Sequence, residues 1–428
     1  MTTSSSIQSA PDRLAPGILR PTVTRGRSRI DSVDFVRGFV MILMALDHVR
    51  DYFGAVGINP TDAATTTVPL FFTRWITHFC APTFFLLTGT GAYLRLSSSL
   101  RPSASGQPRG GSTQPHSDLS RFLITRGVWM LLFDAVIMRC LAWQFNVDFR
   151  VTFLIVLWAL GWAMITLSLF VRWPPIVAGT FGLLLIAGHN LFDRVSASGF
   201  GVGATIWRLL HQQGPLFLGK EHTLFLAYPV VPWIGITAVG YALGQIYDWD
   251  SERRRAFLLR VGLTAIVGFI VLRTLNIYGD LRPWSAQATG VRTALSFLDT
   301  NKNPPSLLFA LMTLGPILLL LRAVDGGVPQ WLKPTVVFGR VPLFYFFMHV
   351  VIIHVLVIAV GFFRYGDVRW AFESSRIDQY PFAQPKGWPV PLPVVYAIWI
   401  GVVVALWPLC RWFAGVKARR RDWWLSYL

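Results

Sequence analysis

Charge is scarce in this 428-residue chain: Asp, Glu, Lys and Arg together make up 14% of it, where a soluble globular protein carries roughly 25%. That shortage argues against a cytosolic enzyme. Cysteine is scarcer still. Cys80, Cys140 and Cys410 lie in or beside apolar runs without CxxC spacing, which leaves no disulfide framework and no cysteine zinc site, and no metal is expected. Acidic residues number 21 against 39 Lys and Arg. The resulting charge of +18 does not point to nucleic acid, because the arginines sit between apolar runs and read as topology signals facing anionic lipid. Walker A, HExxH and nucleophile-elbow patterns are absent, and Gly199-Phe200-Gly201-Val202-Gly203 follows no strand pattern that would make it a dinucleotide fingerprint.

What is abundant is apolar surface. Hydrophobic residues make up 53% of the chain, with 18 tryptophans and 32 phenylalanines, and the mean hydropathy is +0.50. Apolar runs recur at about 34–54, 70–94, 121–142, 151–171, 174–192, 223–246, 256–277, 306–322, 336–362 and 391–413. At ~20 residues per crossing, this predicts an all-α polytopic membrane protein of about ten transmembrane helices. Residues 1–29, rich in Ser, Thr, Pro and Arg, read as a disordered cytoplasmic tail. Residues 30–415 form the ten-helix domain, with a flexible cytoplasmic Ser/Gly/Pro linker at 96–120, and 416–428 form a basic, aromatic cytoplasmic tail. With the amino terminus inside, the inner loops and tails hold 22 Lys and Arg against 11 outside. The bias places both termini in the cytoplasm and the protein in the inner or plasma membrane.

Ionisable groups inside a span are costly, so they mark functional candidates. The first run concentrates them: Asp34, Arg37, Asp47, His48, Arg50 and Asp51. Arg37 and His48 are eleven residues apart, which puts them on one helical face roughly 16 Å apart, about the reach of an extended pantetheine arm. A guanidinium at the cytoplasmic mouth suits coenzyme A phosphates, and an imidazole at the far end suits proton abstraction. In the second run Arg74 and His78 share a face, and His78 reaches a depth that lets it meet His48 and Asp47 in one outward-leaning cavity. The competing structural reading has Arg37 pairing with Asp34 and the histidines satisfying helix contacts. Asp134 and Arg139 read as partners in structural ion pairs, and His354 as a helix contact. Arg340 and His349 are half a turn out of phase on one straight helix; Arg340 is a candidate for coenzyme A and His349 for the acyl channel. His211, Lys220, Glu221 and His222 read as a solvated outer loop. Gly89-Thr90-Gly91 reads as a close-packing site.

The stretch Arg29-Ile30-Asp31-Ser32-Val33-Asp34-Phe35-Val36-Arg37-Gly38, running on to Asp47-His48, resembles the first catalytic helix of the heparan-alpha-glucosaminide N-acetyltransferase family, as a bacterial-type member related to the sugar O-acyltransferase superfamily. Further matching stretches are Thr77 to Phe84, Tyr228 to Gly235, Pro304 to Leu308, Phe338 to Phe344, Met348-His349 and Asp422 to Leu428. The resemblance implies a transmembrane acyltransferase fold and transfer of an acyl group, acetyl in the first instance, from cytosolic acyl-CoA. The acceptor is a hydroxyl or amine of an extracytoplasmic sugar or glycan. It implies Arg37 and His48 as a functional pair; together with the helix geometry this gives His48, His78 and Asp47 as the expected catalytic residues, and Arg37, Asp34, Arg74, Arg340 and His349 as those expected around the acyl-CoA. In the lysosomal enzyme that names the family, an amide stands at the position of His48 and the histidine lies in the loop before the second span. Here that loop, Gly54 to Leu70, has none, so the chemistry falls to His48 or His78. Expected partners are acyl-CoA, the acceptor and the bilayer, with homodimerisation open and a nucleic acid excluded. The rival class is a transporter using the same His, Asp and Arg groups as a relay.

Overall fold

The computed structural model describes residues 30–55, 57, 59–101, 114–218, 221–374, 376–420 and 422–427. The expected amino-terminal tail, the middle of the 96–120 linker and Lys220 lie outside these residues. The chain is mostly helical. In order it forms α1 (Asp31–Phe53), α2 (Val68–Thr77), α3 (Cys80–Leu100), α4 (Pro115–Leu132), α5 (Val156–Ser168), α6 (Pro175–Gly188) and α7 (Ala204–Leu210). These are followed by α8 (Val231–Leu243), α9 (Ser251–Leu275), α10 (Gly290–Leu298), α11 (Leu307–Val324), α12 (Lys333–Arg340), α13 (Pro342–Tyr365) and α14 (Leu392–Arg419). Among the described residues, six helical segments are long and apolar enough to cross a membrane: Val68–Leu100, Pro175–Phe192, Ser251–Leu275, Leu307–Val324, Pro342–Tyr365 and Leu392–Arg419. Their outward faces are apolar, as Val267 and Ile270 on α9 or Ile400 and Val404 on α14 show, which suits lipid rather than water.

Each of the ten apolar runs carries helix, but three departures from an all-helical reading bear on function. First, β1 (Val151–Leu154), β2 (Gly214–Leu218) and β3 (His222–Leu226) make a small sheet in the order β1-β3-β2, with β1 parallel and β2 antiparallel to β3. These are short runs rich in Val, Phe, Leu and Thr, which fit a pleated surface as well as a helix. Second, α4 continues as a π-helix over Phe133–Trp143, a wide turn of the kind found at functional sites. Third, two expected spans are broken, at His78-Phe79 between α2 and α3, and at Val341 between α12 and α13. The linker is also shorter than expected, since α3 runs to Leu100 and α4 begins at Pro115.

Backbone contact holds the helix crossings that matter. A Cβ on Gly38 of α1 would run into the Thr335 carbonyl of α12, and one on Gly339 would run into the Asp34 carbonyl of α1. The two glycines therefore let α1 and α12 touch main chain to main chain, the packing mode expected where lipid removes the hydrophobic incentive for association. Gly89 serves the same purpose against Thr237 of α8, as the sequence suggests, whereas Gly91 faces open space. The three cysteines are free and buried. The carboxy-terminal segment docks on α4, where the Tyr427 hydroxyl meets Thr125 Oγ1 at 2.9 Å.

Candidate active site

The long α1 carries charge at both ends, and each end finds different partners. At its start, Arg37 Nη1 donates to Asp34 Oδ1 at 2.9 Å and to the Gly339 carbonyl at 3.0 Å. Arg340, the last residue of α12, reaches Asp31 at 3.1 Å and Asp34 at 4.0 Å. The ion pair between Arg37 and Asp34 is thus formed, and the close glycine contact at Gly339 is what brings the carbonyl within reach. Arg340 and His349 sit on separate helices either side of the Val341 break, so the straight-helix phase argument does not apply to them.

At the other end, Asp47 is held by two arginines: Arg74 on α2, through a short ion pair, and Arg50 at 2.9 Å. Arg50 also bonds Asp51. Asp47 therefore does not orient a histidine. The partner of His48 is His349 on α13, 301 positions away in sequence, with His48 Nδ1 and His349 Nε2 2.6 Å apart. The two rings are nearly coplanar, at 16° with centroids 4.8 Å apart, as an in-plane N–H···N bond requires. The tautomers follow by elimination. His349 Nδ1 lies 2.9 Å from the Tyr345 carbonyl, which can only accept, so this nitrogen carries the proton. His349 Nε2 is then the acceptor, and His48 Nδ1–H the donor. That leaves the lone pair of His48 on Nε2, which has no hydrogen-bond partner among the described residues, on a ring that is only half-buried.

Aromatic rings fix the position of His48. Trp143, delivered by the end of the π-helix, meets it edge-on at 4.9 Å and 82°, and Phe346 does so at 6.1 Å. The π-helix carbonyls also anchor their neighbours: Tyr52 donates to the Trp143 carbonyl at 3.0 Å, and His354 Nδ1 lies 3.0 Å from the Ala142 carbonyl. His354 is a helix contact, as expected. Among the described residues Asp134 makes no ion pair: it accepts the Ile155 and Trp158 backbone N–H groups at 3.0 and 3.1 Å and so caps the start of α5. Arg139 pairs with Asp148 at 2.8 Å.

A cavity of about 610 Å³ opens at this end of α1. Arg50, Asp51, Arg74, His78, Lys302 and Tyr380 are among the residues that line it, with Gln213, Arg282, Asp299 and Asn301. His78 is buried at the break between α2 and α3, its Nδ1 without a hydrogen bond, and it faces this cavity and the Phe309 ring rather than His48. His48 does not line this cavity; the Trp143 ring, whose centroid also lies 5.6 Å from that of the cavity residue Tyr380, links the two parts of the site. Sequence reasoning singles out neither Trp143, Tyr380 nor Lys302. Burial, and then the neighbouring Arg74, push the Lys302 amine down to about 8. Its only sequence signal is its place two residues before the Pro304-Pro305-Ser306 stretch. His211, read as part of a solvated face, is buried instead.

Residues 29–279, more than half of the chain, match the family model described as "Heparan-alpha-glucosaminide N-acetyltransferase, catalytic". That region contains His48, Asp47, His78, Arg37 and Arg74, and it ends before Lys302 and His349. A search of curated proteins finds no match.

Proposed function

The chain belongs to the heparan-alpha-glucosaminide N-acetyltransferase catalytic family, and from that premise we propose that it is a membrane-embedded acyltransferase with His48 as its base. The observation that carries this reading is the unoccupied Nε2 of His48, whose ring is locked by His349 behind it. A hydroxyl or amine of a sugar acceptor delivers its proton to Nε2 as its oxygen or nitrogen attacks the thioester carbonyl of acetyl-CoA. The C–S bond breaks, and the coenzyme A sulfur recovers the proton from His48. The imidazolium formed in between donates through Nδ1 to neutral His349, which shares the charge without a carboxylate. The same lone pair serves an acyl-imidazole relay.

In this proposal the acceptor occupies the cavity beside Lys302, whose Asp299, Asn301 and Arg282 suit a polyhydroxylated ring. His78 contributes there as a cavity residue, and Asp47 as the anchor that sets Arg74 and Arg50. Acyl-CoA approaches from the Arg37 end, with Arg37 and Arg340 exchanging Asp34 and Asp31 for phosphate. Four of the five loops expected outside contribute to the cavity, which supports ten crossings with both termini cytoplasmic in a cell membrane. The test is turnover of acetyl-CoA and longer acyl-CoAs by the purified chain, with and without sugar acceptors. Release of free thiol that depends on His48 is expected. Neither binding nor turnover of any acyl-CoA at millimolar ligand overturns the proposal.

A further inference from the structure

Away from the dyad, His211 converges with two residues that the sequence leaves unremarked. His189 begins the short turn after α6, Asp193 lies four residues on, and His211 follows α7. One ligand atom from each lies within 4.8 Å of the other two. We propose that His189, Asp193 and His211 form a binding site for a divalent transition-metal ion of the zinc class. The inference does not depend on the acyltransferase reading.

The arrangement has the features of a metal site beyond the three donors. His211 Nε2 lies 2.8 Å from the His189 backbone carbonyl, which can only accept. The proton therefore sits on Nε2, and Nδ1 is left as a lone pair. Trp207 stacks on the His211 ring at 5.0 Å and 15°, fixing its plane. His189 is only 3% exposed, yet neither of its ring nitrogens makes a hydrogen bond of good geometry. His211 thus has a main-chain acceptor on one nitrogen and a lone pair on the other, while both nitrogens of the buried His189 stay open. Metal-bound histidines are oriented in this way. Asp193 Oδ2 accepts from Asn190 Nδ2 at 2.8 Å, and Asn190 Oδ1 accepts from the Leu307 N–H at 2.9 Å. The carboxylate is thus held in turn, with its other oxygen free. A buried histidine pair serving only to pack would not leave His189 so poorly bonded.

The donor set chooses the ion. Two imidazole nitrogens and one carboxylate select zinc and its neighbours over magnesium or calcium, which take oxygen ligands. Donors around tetrahedral zinc lie about 3.3 Å apart, so binding draws the three side chains together by small rotations. Three protein ligands leave a fourth position for water. The ion would clip the segment from 189 to 211 to the end of α6, beside the Pro304–Leu307 stretch whose preceding turn carries Lys302 into the cavity.

The full chain, purified in detergent and stripped by chelator, is titrated with Co²⁺ as a spectroscopic substitute and then with Zn²⁺. One Co²⁺ per chain with ligand-field absorption, displaced by Zn²⁺, is expected. His211→Asn and Asp193→Asn should each weaken binding about tenfold or more, while His349→Asn and the exposed His222→Asn leave it unchanged. Zn²⁺ should raise the melting temperature of the wild type and not that of Asp193→Asn, a readout that holds even where His189→Asn fails to fold. No saturable Co²⁺ signal at millimolar ion, or wild-type affinity in His211→Asn, overturns the proposal; loss in His349→Asn instead would place the ion at the dyad and overturn it equally.

Discussion

The two ends of α1 start from similar sequence and reach opposite results. Each holds carboxylates and an arginine within one turn. At the Arg37 end they pair with one another, Arg37 with Asp34 and the Gly339 carbonyl, and Arg340 with Asp31 and, at longer range, Asp34. At the His48 end a second arginine arrives from α2, and Asp47 is shared between Arg74 and Arg50. The carboxylate is then unavailable to His48, which turns to another imidazole. The difference teaches that ion pairs here leave the His48 imidazole to pair with another imidazole rather than with a carboxylate. A buried carboxylate beside His48 would hold a proton on its ring, whereas a histidine partner leaves Nε2 as a lone pair.

The largest effect should come from the His48 end. His48→Asn keeps size and some hydrogen bonding but cannot take the proton, so turnover should fall about a hundredfold or more while acyl-CoA affinity, read by calorimetry, stays near wild type. His78→Ala slowing the reaction more severely than this would move the base to His78. His349→Asn should be milder, about tenfold in kcat with KM unchanged, because it loosens the ring without removing the base; equal losses in both variants would mean that the dyad acts as one unit.

At the Arg37 end the expected effects are on binding and stability. Gly339→Ala forces a methyl into the Asp34 carbonyl and should destabilise the crossing of α1 and α12 by about 1–3 kcal/mol, seen as a lower melting temperature. Arg37→Ala should raise KM for acyl-CoA several-fold with kcat little changed, and dephospho-coenzyme A should locate the lost contact. Unchanged KM would assign Arg37 to structure alone. The smallest effect is a pH dependence. Lys302 loses its charge as pH rises through about 8, so acceptor KM should climb above that pH, and Lys302→Gln should flatten the climb. Linkage runs the opposite way at the level of folding: the unfolded chain binds the Lys302 proton up to its ordinary pKa of roughly 10.4, so this group adds stability as pH rises from about 8 into that range.

Much of this was legible in one dimension. Hydropathy marks each of the ten helical regions, because burial in lipid needs length and composition and little else. The Arg37 and His48 spacing on α1 was equally readable, since both residues lie on one unbroken helix. The breaks at His78-Phe79 and Val341 were not, and they decide what Arg74, Arg340 and His349 can touch. The pairing of His48 with His349 joins residues 301 positions apart and depends on how α1 and α13 pack, which no local pattern encodes. Asp134 looked like one half of an ion pair because its true partners are backbone N–H groups, invisible to any reading of side chains. His189 and Asp193 are one helical turn apart, but the third donor, His211, is brought in only by the fold of the intervening segment.

The π-helix at Phe133–Trp143 has a consequence for how this protein can vary. A wide turn holds one residue more than an α-turn closing over the same rise, so it stores a register shift along the strip of chain that ends at Trp143. Removing a single residue while the run stays π-helical would swing every later side chain about a quarter turn. Trp143 would leave His48, and the carbonyls of Ala142 and Trp143 would leave Tyr52 and His354. Away from Asp134, Arg139 and Trp143, substitutions along this stretch meet mostly packing, whereas a change of length moves the Trp143 ring and both carbonyls at once. The segment is therefore rigid in count.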